Sequence, residues 1–305
     1  MRMLTIPVFA KVNLQLHIVG QRPDSYHELR TTLQTISLHD RLTLTLTHGR
    51  SITLECSDPG LPTDRGNLVW RALDALRREL KLKAGIHARL DKWIPAGRGL
   101  GGGSSDAAAA LVGLLRLAKS AGLKAAATTA RAMPRERLLE IASSLGADVP
   151  FFLLGGRALG VGRGDEIYPL ADIPTQTVLV VSPAGIAVPT KDAYTWVSRS
   201  LTKRPAGPKL VRFCALCWSL QGGPLANDFE PVVFAKHPRL RKLKRDLLRA
   251  GATDAALAGS GSAVYGLFRN PAQARRAAHL FPNDQVFLAE TVSRTRYRKA
   301  LGLPV

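Results

Sequence analysis

Cysteine is scarce: Cys56, Cys214 and Cys217 are the only three in 305 residues. An odd, low number in a chain this long excludes a disulfide scaffold and fits a reducing, cytoplasmic location. Cys214 and Cys217 form a CxxC, yet no second Cys pair or nearby His pair supplies the two further ligands a zinc site needs. Beside Phe213, Leu216 and Trp218 they read as small apolar core residues. Long apolar runs are also lacking. No stretch approaches the roughly 20 residues that span a bilayer, and the start, interrupted by Lys11, does not read as a signal peptide. No membrane partner is expected. Acidic residues are few, 23 against 43 Lys and Arg, leaving a net charge of +20. A surplus of that size attracts polyanions and raises a nucleic-acid reading. The densest basic patch, residues 236–249, holds seven Lys or Arg, but Leu240, Leu243, Leu247 and Leu248 recur there at helical spacing. Its charges therefore form the solvated face of an amphipathic helix. Aromatic residues do not interleave with them as base stacking requires, so nucleic acid is not the expected partner.

Glycine, by contrast, is concentrated. Pro95-Ala96-Gly97-Arg98-Gly99-Leu100-Gly101-Gly102-Gly103-Ser104-Ser105 places five glycines and two hydroxyls in eleven residues, ahead of an alanine-rich helical run from Asp106 to Lys119. Glycine permits positive φ and close backbone approach, so successive N–H groups can turn toward one anion. The helix that follows adds unpaired N–H groups and the positive end of its dipole. Serine suits its cap and donates to phosphate oxygens. The segment reads as a phosphate-binding loop. Gly97 to Gly102 satisfies GxGxxG, but a dinucleotide site also needs an acid about twenty positions later. No Asp or Glu lies between Asp106 and Glu136, and no Lys precedes Ser104 as a Walker loop demands.

Periodicity supplies the frame. Strand patterns run over residues 3–19, 41–47, 86–94, 151–154, 177–182, 263–268 and 285–290. Asn67 caps a helix striped by Val69, Leu73, Leu76 and Leu80, and Pro134 opens another striped by Leu138, Ile141 and Leu145. Further helices are predicted over 191–201, 236–250 and 271–280. Asp148 follows the helix stop at Gly146, and Val149-Pro150 leads into the apolar stretch Phe151–Leu154, expected to be extended. A proline-punctuated stretch from Pro169 to Pro189 marks a boundary near residue 168. Strands separated by helices in both halves make the fold class α+β with two domains, residues 1–168 and 169–305. A cleft between domains is the usual place for a ligand.

Four segments stand in a distinctive order: Ala10-Lys11-Val12-Asn13-Leu14, the Pro95–Ser105 loop, Gly146-Ala147-Asp148-Val149-Pro150, and Gly259-Ser260-Gly261. Together they resemble the GHMP kinases, the superfamily of galactokinase, homoserine kinase, mevalonate kinase and phosphomevalonate kinase. The run from Gly20 through Tyr26-His27 to Leu29, the triple glycine 101–103, and Asn227-Asp228-Phe229-Glu230 are similar to the branch whose acceptor is a cytidine diphosphate sugar alcohol. The resemblance covers nearly the whole chain. It implies an S5-like N-terminal domain, a ferredoxin-like C-terminal domain, and ATP as phosphoryl donor with Mg²⁺ arriving on the nucleotide. Small molecules are the implied partners, with the chain a monomer or homodimer. Another kinase of the superfamily, for homoserine or mevalonate, and a basic RNA-binding protein on an S5-like fold remain as alternatives.

Carried over residue by residue, the resemblance implies that Asp148 is the catalytic carboxylate and Lys11 the strand lysine beside it. The strand itself agrees, because an ammonium among Val8, Phe9, Ala10 and Val12 is costly to bury without a partner. Asn13, two residues on, shares the face of Lys11 and is the expected neighbour of the acceptor hydroxyls. Tyr26 and His27 match cytosine-recognising positions, Tyr194 in the Thr190–Tyr194 segment matches the aromatic covering the base, and Arg163 lies in a turn bordering it. Asn67 matches an adenosine contact. Ser104 and Ser105 are candidate oxygens toward the cation, with no carboxylate cage evident. Ser25 stands where relatives have glycine, and Lys191 where a proline can occur.

Overall fold

The computed structural model of the chain describes residues 3–24, 26–120, 124–201 and 223–304; Ser25, Cys214 and Cys217 lie outside them. Two long strands organise the first half. β1 (Met3–Gln21) pairs antiparallel with β2 (His27–Thr47) along its length, with register shifts after Phe9, Asn13 and Ile18. Both are buried through their middles, so each sequence reads as a near-continuous apolar run rather than a clean alternation. β3 (Ile52–Cys56), β4 (Gly85–Asp91), β5 (Arg157–Gly162) and β6 (Glu166–Pro169) complete this half of a seven-stranded sheet. β8 (Ala226–Asn227), from the second half of the chain, adds parallel to β1.

Five helices accompany the first sheet. In α1 (Leu68–Glu79) the Asn67 side chain accepts from the Val69 amide at 2.9 Å, and Val69, Leu73, Leu76 and the following Leu80 are buried as the stripe predicts. α2 (Gly102–Ser120) begins four residues earlier than expected, so the last two glycines of the triple belong to its first turn. α3 (Lys124–Ala132) has no counterpart in the sequence reading, because its alanine-rich run carries no long apolar stripe. α4 (Arg135–Leu145) ends at Gly146 as anticipated. The stretch after Asp148 corrects an expectation. Val149–Leu154 is a helix, α5, and not a strand. Pro150 sits in its first turn, where a missing N–H leaves no hydrogen bond unmade.

The second sheet is antiparallel throughout. β7 (Thr177–Ser182), β9 (Asp254–Leu257), β10 (Val264–Phe268) and β11 (Gln285–Glu290) lie in the order β11-β7-β10-β9, the ferredoxin-like arrangement. α6 (Thr190–Leu201), α9 (Pro271–Ala278) and α10 (Arg294–Leu301) also belong to this half. The basic helix expected over 236–250 is α8 (Pro238–Arg249), and a short helix with no counterpart in the sequence pattern, α7 (Glu230–Lys236), precedes it. They are divided at His237, whose φ of −128° and ψ of 76° suit a residue preceding proline. Leu240, Leu243 and Leu247 are buried, but Leu248, counted in the stripe, is 40% exposed.

A shared core joins the halves. Ala10, Val12 and Leu14 of β1, with Leu100, pack with Val178 and Val180 of β7 and Tyr265 and Leu267 of β10. Tyr265 is fully buried and its hydroxyl donates to the Asn13 carbonyl at 2.7 Å, tying β10 to β1 beside the residues argued to carry chemistry. Tyr265→Phe leaves that carbonyl one partner short in a buried site. It is expected to cost about 1–3 kcal/mol, read in urea unfolding as a lower midpoint at unchanged slope.

Candidate active site

The glycine loop lies against backbone on two sides. Gly99 (φ +81°) could carry no side chain: a Cβ there would stand 1.9 Å from the Ala258 carbonyl oxygen. At Gly101 (φ +74°) a Cβ would meet Lys11 Cγ and Phe152 Cζ, each at 3.0 Å. The Leu100 carbonyl accepts from the Lys11 amide at 2.9 Å, and the Arg98 carbonyl from the Ala263 amide at 3.2 Å. The Arg98 guanidinium donates to Ser262 Oγ at 2.8 Å. The loop is thus strung between β1 and the turn that precedes β10. Its end runs into α2, where the first amides have no partner within the helix. Gly102, Gly103 and Ser104 line the cavity at that point. Ser105 corrects an expectation: it is buried in the same first turn and does not line the cavity.

Lys11 is 3% exposed, and its ammonium donates to Asn13 Oδ1 at 2.8 Å. Asp148 Oδ2 stands 3.4 Å from the same nitrogen. Asn13 and Lys11 share a face of β1, as the two-residue period requires. Asn13 Nδ2 passes the network to Thr31 Oγ1 at 2.8 Å, and Thr31 donates to the Gln15 carbonyl at 2.7 Å. Asp148 precedes α5 without capping it, since its carboxylate makes no bond to that helix's amides. With its side chain 37% exposed, the carboxylate faces Lys11 and open cavity. It therefore differs from an ordinary helix-terminal Asp.

An aromatic group closes the other end. His27 stacks on Tyr194 with ring centres 4.8 Å apart and planes at 26°, and Tyr194 meets Phe229 edge-on at 4.9 Å. His27 Nε2 lies 2.8 Å from Ser198 Oγ. Burial holds its imidazole below the usual histidine range, favouring the neutral ring, which can both donate and accept. Burial first, then the Asp148 charge, raises the Tyr194 phenol. Tyr26, 56% exposed, lies under the Arg163 guanidinium at 5.1 Å, and Arg163 also pairs with Asp165 at 2.5 Å. Thr190 Oγ1 lies 3.1 Å from Ser260 Oγ, in the second glycine turn.

One cavity of about 870 Å³ gathers these groups. Lys11, Asn13, Asp148, Asn67, residues 95–104, Tyr26, His27, Arg163, Thr190 and Tyr194 all line it. Thr31, Lys92, Asp106 and Ser198 line it too and escape the sequence reading. Thr31 reaches Asn13 only through the β1–β2 register, which no local pattern announces. Lys92 bonds to Asp40 and, at 2.8 Å, to Asp106. Burial, opposed by Lys92 and reinforced by Asp40, pushes the Asp106 carboxyl up to about 7.

Residues 67–156 match the model of the GHMP kinases N terminal domain, and residues 212–283 that of the GHMP kinases C terminal. The chain is 47% identical over 296 residues to the 4-diphosphocytidyl-2-C-methyl-D-erythritol kinase of Solibacter usitatus (strain Ellin6076), covering 95% of this chain and 89% of the relative. It is 39% identical to the kinase of the same name from Geobacter sulfurreducens (strain ATCC 51573 / DSM 12127 / PCA), over 95% of this chain and 98% of that one. A crystal structure of 4-(cytidine 5'-diphospho)-2C-methyl-D-erythritol kinase superposes with a TM-score of 0.77 at 35% identity, covering 94% and 99% of the two chains. Likeness of this degree, running through the glycine loop and both sheets, means that the chain is an ATP-dependent small-molecule kinase of the GHMP superfamily, in the family of the 4-diphosphocytidyl-2-C-methyl-D-erythritol kinases.

Proposed function

We propose that this kinase transfers the γ-phosphoryl group of ATP to the 2-hydroxyl of 4-diphosphocytidyl-2-C-methyl-D-erythritol, on the non-mevalonate route to isoprenoid precursors. The observation that carries the reading is the Lys11–Asp148 pair, 3.4 Å apart, in one cavity with the glycine loop and the His27–Tyr194 aromatic wall. Names of relatives 36–47% identical to this chain supply the acceptor. The division near residue 168 belongs to the same reading. Lys11 and the loop come from the first part, and Tyr194 and Ser260 from the second.

Asp148 takes the proton of the attacking hydroxyl as its oxygen bonds to the γ-phosphorus and the bond to the ADP oxygen breaks. Phosphoryl transfer of this kind has a loose transition state, so positioning and charge stabilisation do most of the work. Lys11 supplies a positive charge at the attacking oxygen, and Asn13 holds the Lys11 ammonium in place. The glycine loop and the start of α2 hold the phosphates. Among the described residues no three His, Cys, Asp or Glu side chains converge as a metal cage. Mg²⁺ would be carried on nucleotide oxygens, with the Ser104 hydroxyl, which lines the cavity where the loop enters α2, as a candidate side-chain oxygen. When bound, Mg²⁺ neutralises phosphate charge and keeps several waters. Tyr26, His27, Tyr194 and Arg163 recognise the cytosine, and Asn67 the adenosine.

An ADP-release assay should give turnover with the cytidine acceptor and background rates with homoserine and mevalonate; comparable turnover on homoserine would sink the acceptor assignment. Asp148→Ala is expected to lower kcat by about 10²–10⁴ while the ATP dissociation constant stays near wild type. Full turnover in that variant would remove Asp148 from its role. Tyr26→Ala removes about 1–3 kcal/mol of base stacking, so the KM for the cytidine acceptor should rise roughly 5- to 150-fold with the KM for ATP unchanged. An equal rise for ATP would move Tyr26 to the nucleotide side.

A further inference from the structure

We propose that Asp40, Lys92 and Asp106 form a clamp that fixes both ends of the nucleotide loop, which makes Lys92 and Asp106 positioning residues for ATP. The inference rests on the reading that ATP occupies that loop. Asp40 lies within β2 and is fully buried. Its Oδ1 accepts from the Trp93 and Ile94 amides at 2.5 and 2.7 Å, the last residues before Pro95 opens the loop. Its Oδ2 accepts from the Lys92 ammonium. That ammonium also donates to Asp106 Oδ2 at 2.8 Å, and Asp106 is the fifth residue of α2, one turn past the loop. One carboxylate therefore holds the way in, and one ammonium ties the way in to the way out.

Three charged side chains buried together are costly to desolvate, and well-packed apolar residues would hold a core at least as well. What ions add is direction. Each bond here is aimed at one end of the same loop. Lys92 Nζ lies 3.3 Å from where a Cβ on Gly102 would stand, directly beneath the first residue of α2. Lys92 and Asp106 both line the nucleotide cavity, and Asp106 Oδ1, buried, has no hydrogen-bond partner. Loop residues 95–101 contain three positive-φ glycines, Gly97, Gly99 and Gly101, so the loop has little stiffness of its own. Fixed ends replace that stiffness. A misplacement of about 1 Å at a reacting group costs about 100-fold in rate.

Asp106→Ala is the decisive variant, because it keeps the Lys92–Asp40 pair and puts a good helix former in α2. Measured with a non-hydrolysable ATP analogue, its dissociation constant should rise about tenfold, the effect of losing one charge-assisted hydrogen bond, with the acceptor KM within about twofold of wild type. Asp106→Asn retains an oxygen that accepts from Lys92 and should recover most of the affinity. Lys92→Met strands two buried carboxylates and threatens the fold, so melting temperatures accompany each variant. A folded Asp106→Ala protein that binds the analogue as tightly as wild type overturns the clamp. So does an equal loss toward the acceptor, which marks a general structural role. Wild-type protein that binds the analogue but phosphorylates no cytidine acceptor would strike the acceptor assignment, and the Asp106 comparison would still decide the clamp.

Discussion

A buried ammonium organises this molecule. Lys11 sits in a strand covered on both sides, and an isolated charge there would be prohibitive. Its ammonium is answered by Asn13 two residues along the strand and by Asp148, while its backbone amide separately bonds the Leu100 carbonyl. Each of those partners is itself fixed. Asn13 is held by Thr31 and, through its carbonyl, by Tyr265. Asp148 is delivered by the turn between α4 and α5, and Leu100 by the glycine loop. The charge brings in a carboxylate, and the backbone of the same strand segment brings the loop and the second sheet to that point.

The glycine loop obeys a second constraint, that of space. Backbone packs directly on backbone at Gly99 and Ala258, and aliphatic carbons of Lys11 press on Gly101. A side chain at either position would push the loop off β1 and open the joint between the two sheets. The same closeness brings the turn at 258–263 to the glycine-loop side of the cavity, with Ser260 reaching Thr190. Both halves of the chain therefore contribute to one cavity without any long excursion of either.

Much of the frame was legible, and the reasons are local. β7 and β11 stand at the predicted positions because each is a short apolar run bounded by polar residues and proline, β-branched in β7. The cap at Asn67 and the stop at Gly146 have the same character. The failures were equally local in cause. Phe151–Leu154 is apolar enough for either a strand or a buried helix, and four residues carry too little periodicity to decide. The seven residues of α7 were too few to show a stripe, and an alanine-rich run hid α3.

By itself the sequence determined the residue types and spacings of the candidate site: the glycines of the loop, the lysine in an apolar strand, the acid after a helix stop, and the Tyr26-His27 pair. These are short-range properties, dictated by backbone freedom, desolvation cost and side-chain chemistry. Only the tertiary structure decided which of them meet. The Asp40–Lys92–Asp106 cluster spans β2, the loop entry and α2, and Thr31 reaches Asn13 through strand register. Ser105 faces the core while Ser104 faces the cavity, a choice set by the helical rotation of about 100° per residue once α2 is packed. Contacts between residues far apart in the chain depend on how the sheets pack, and a linear pattern holds no record of that.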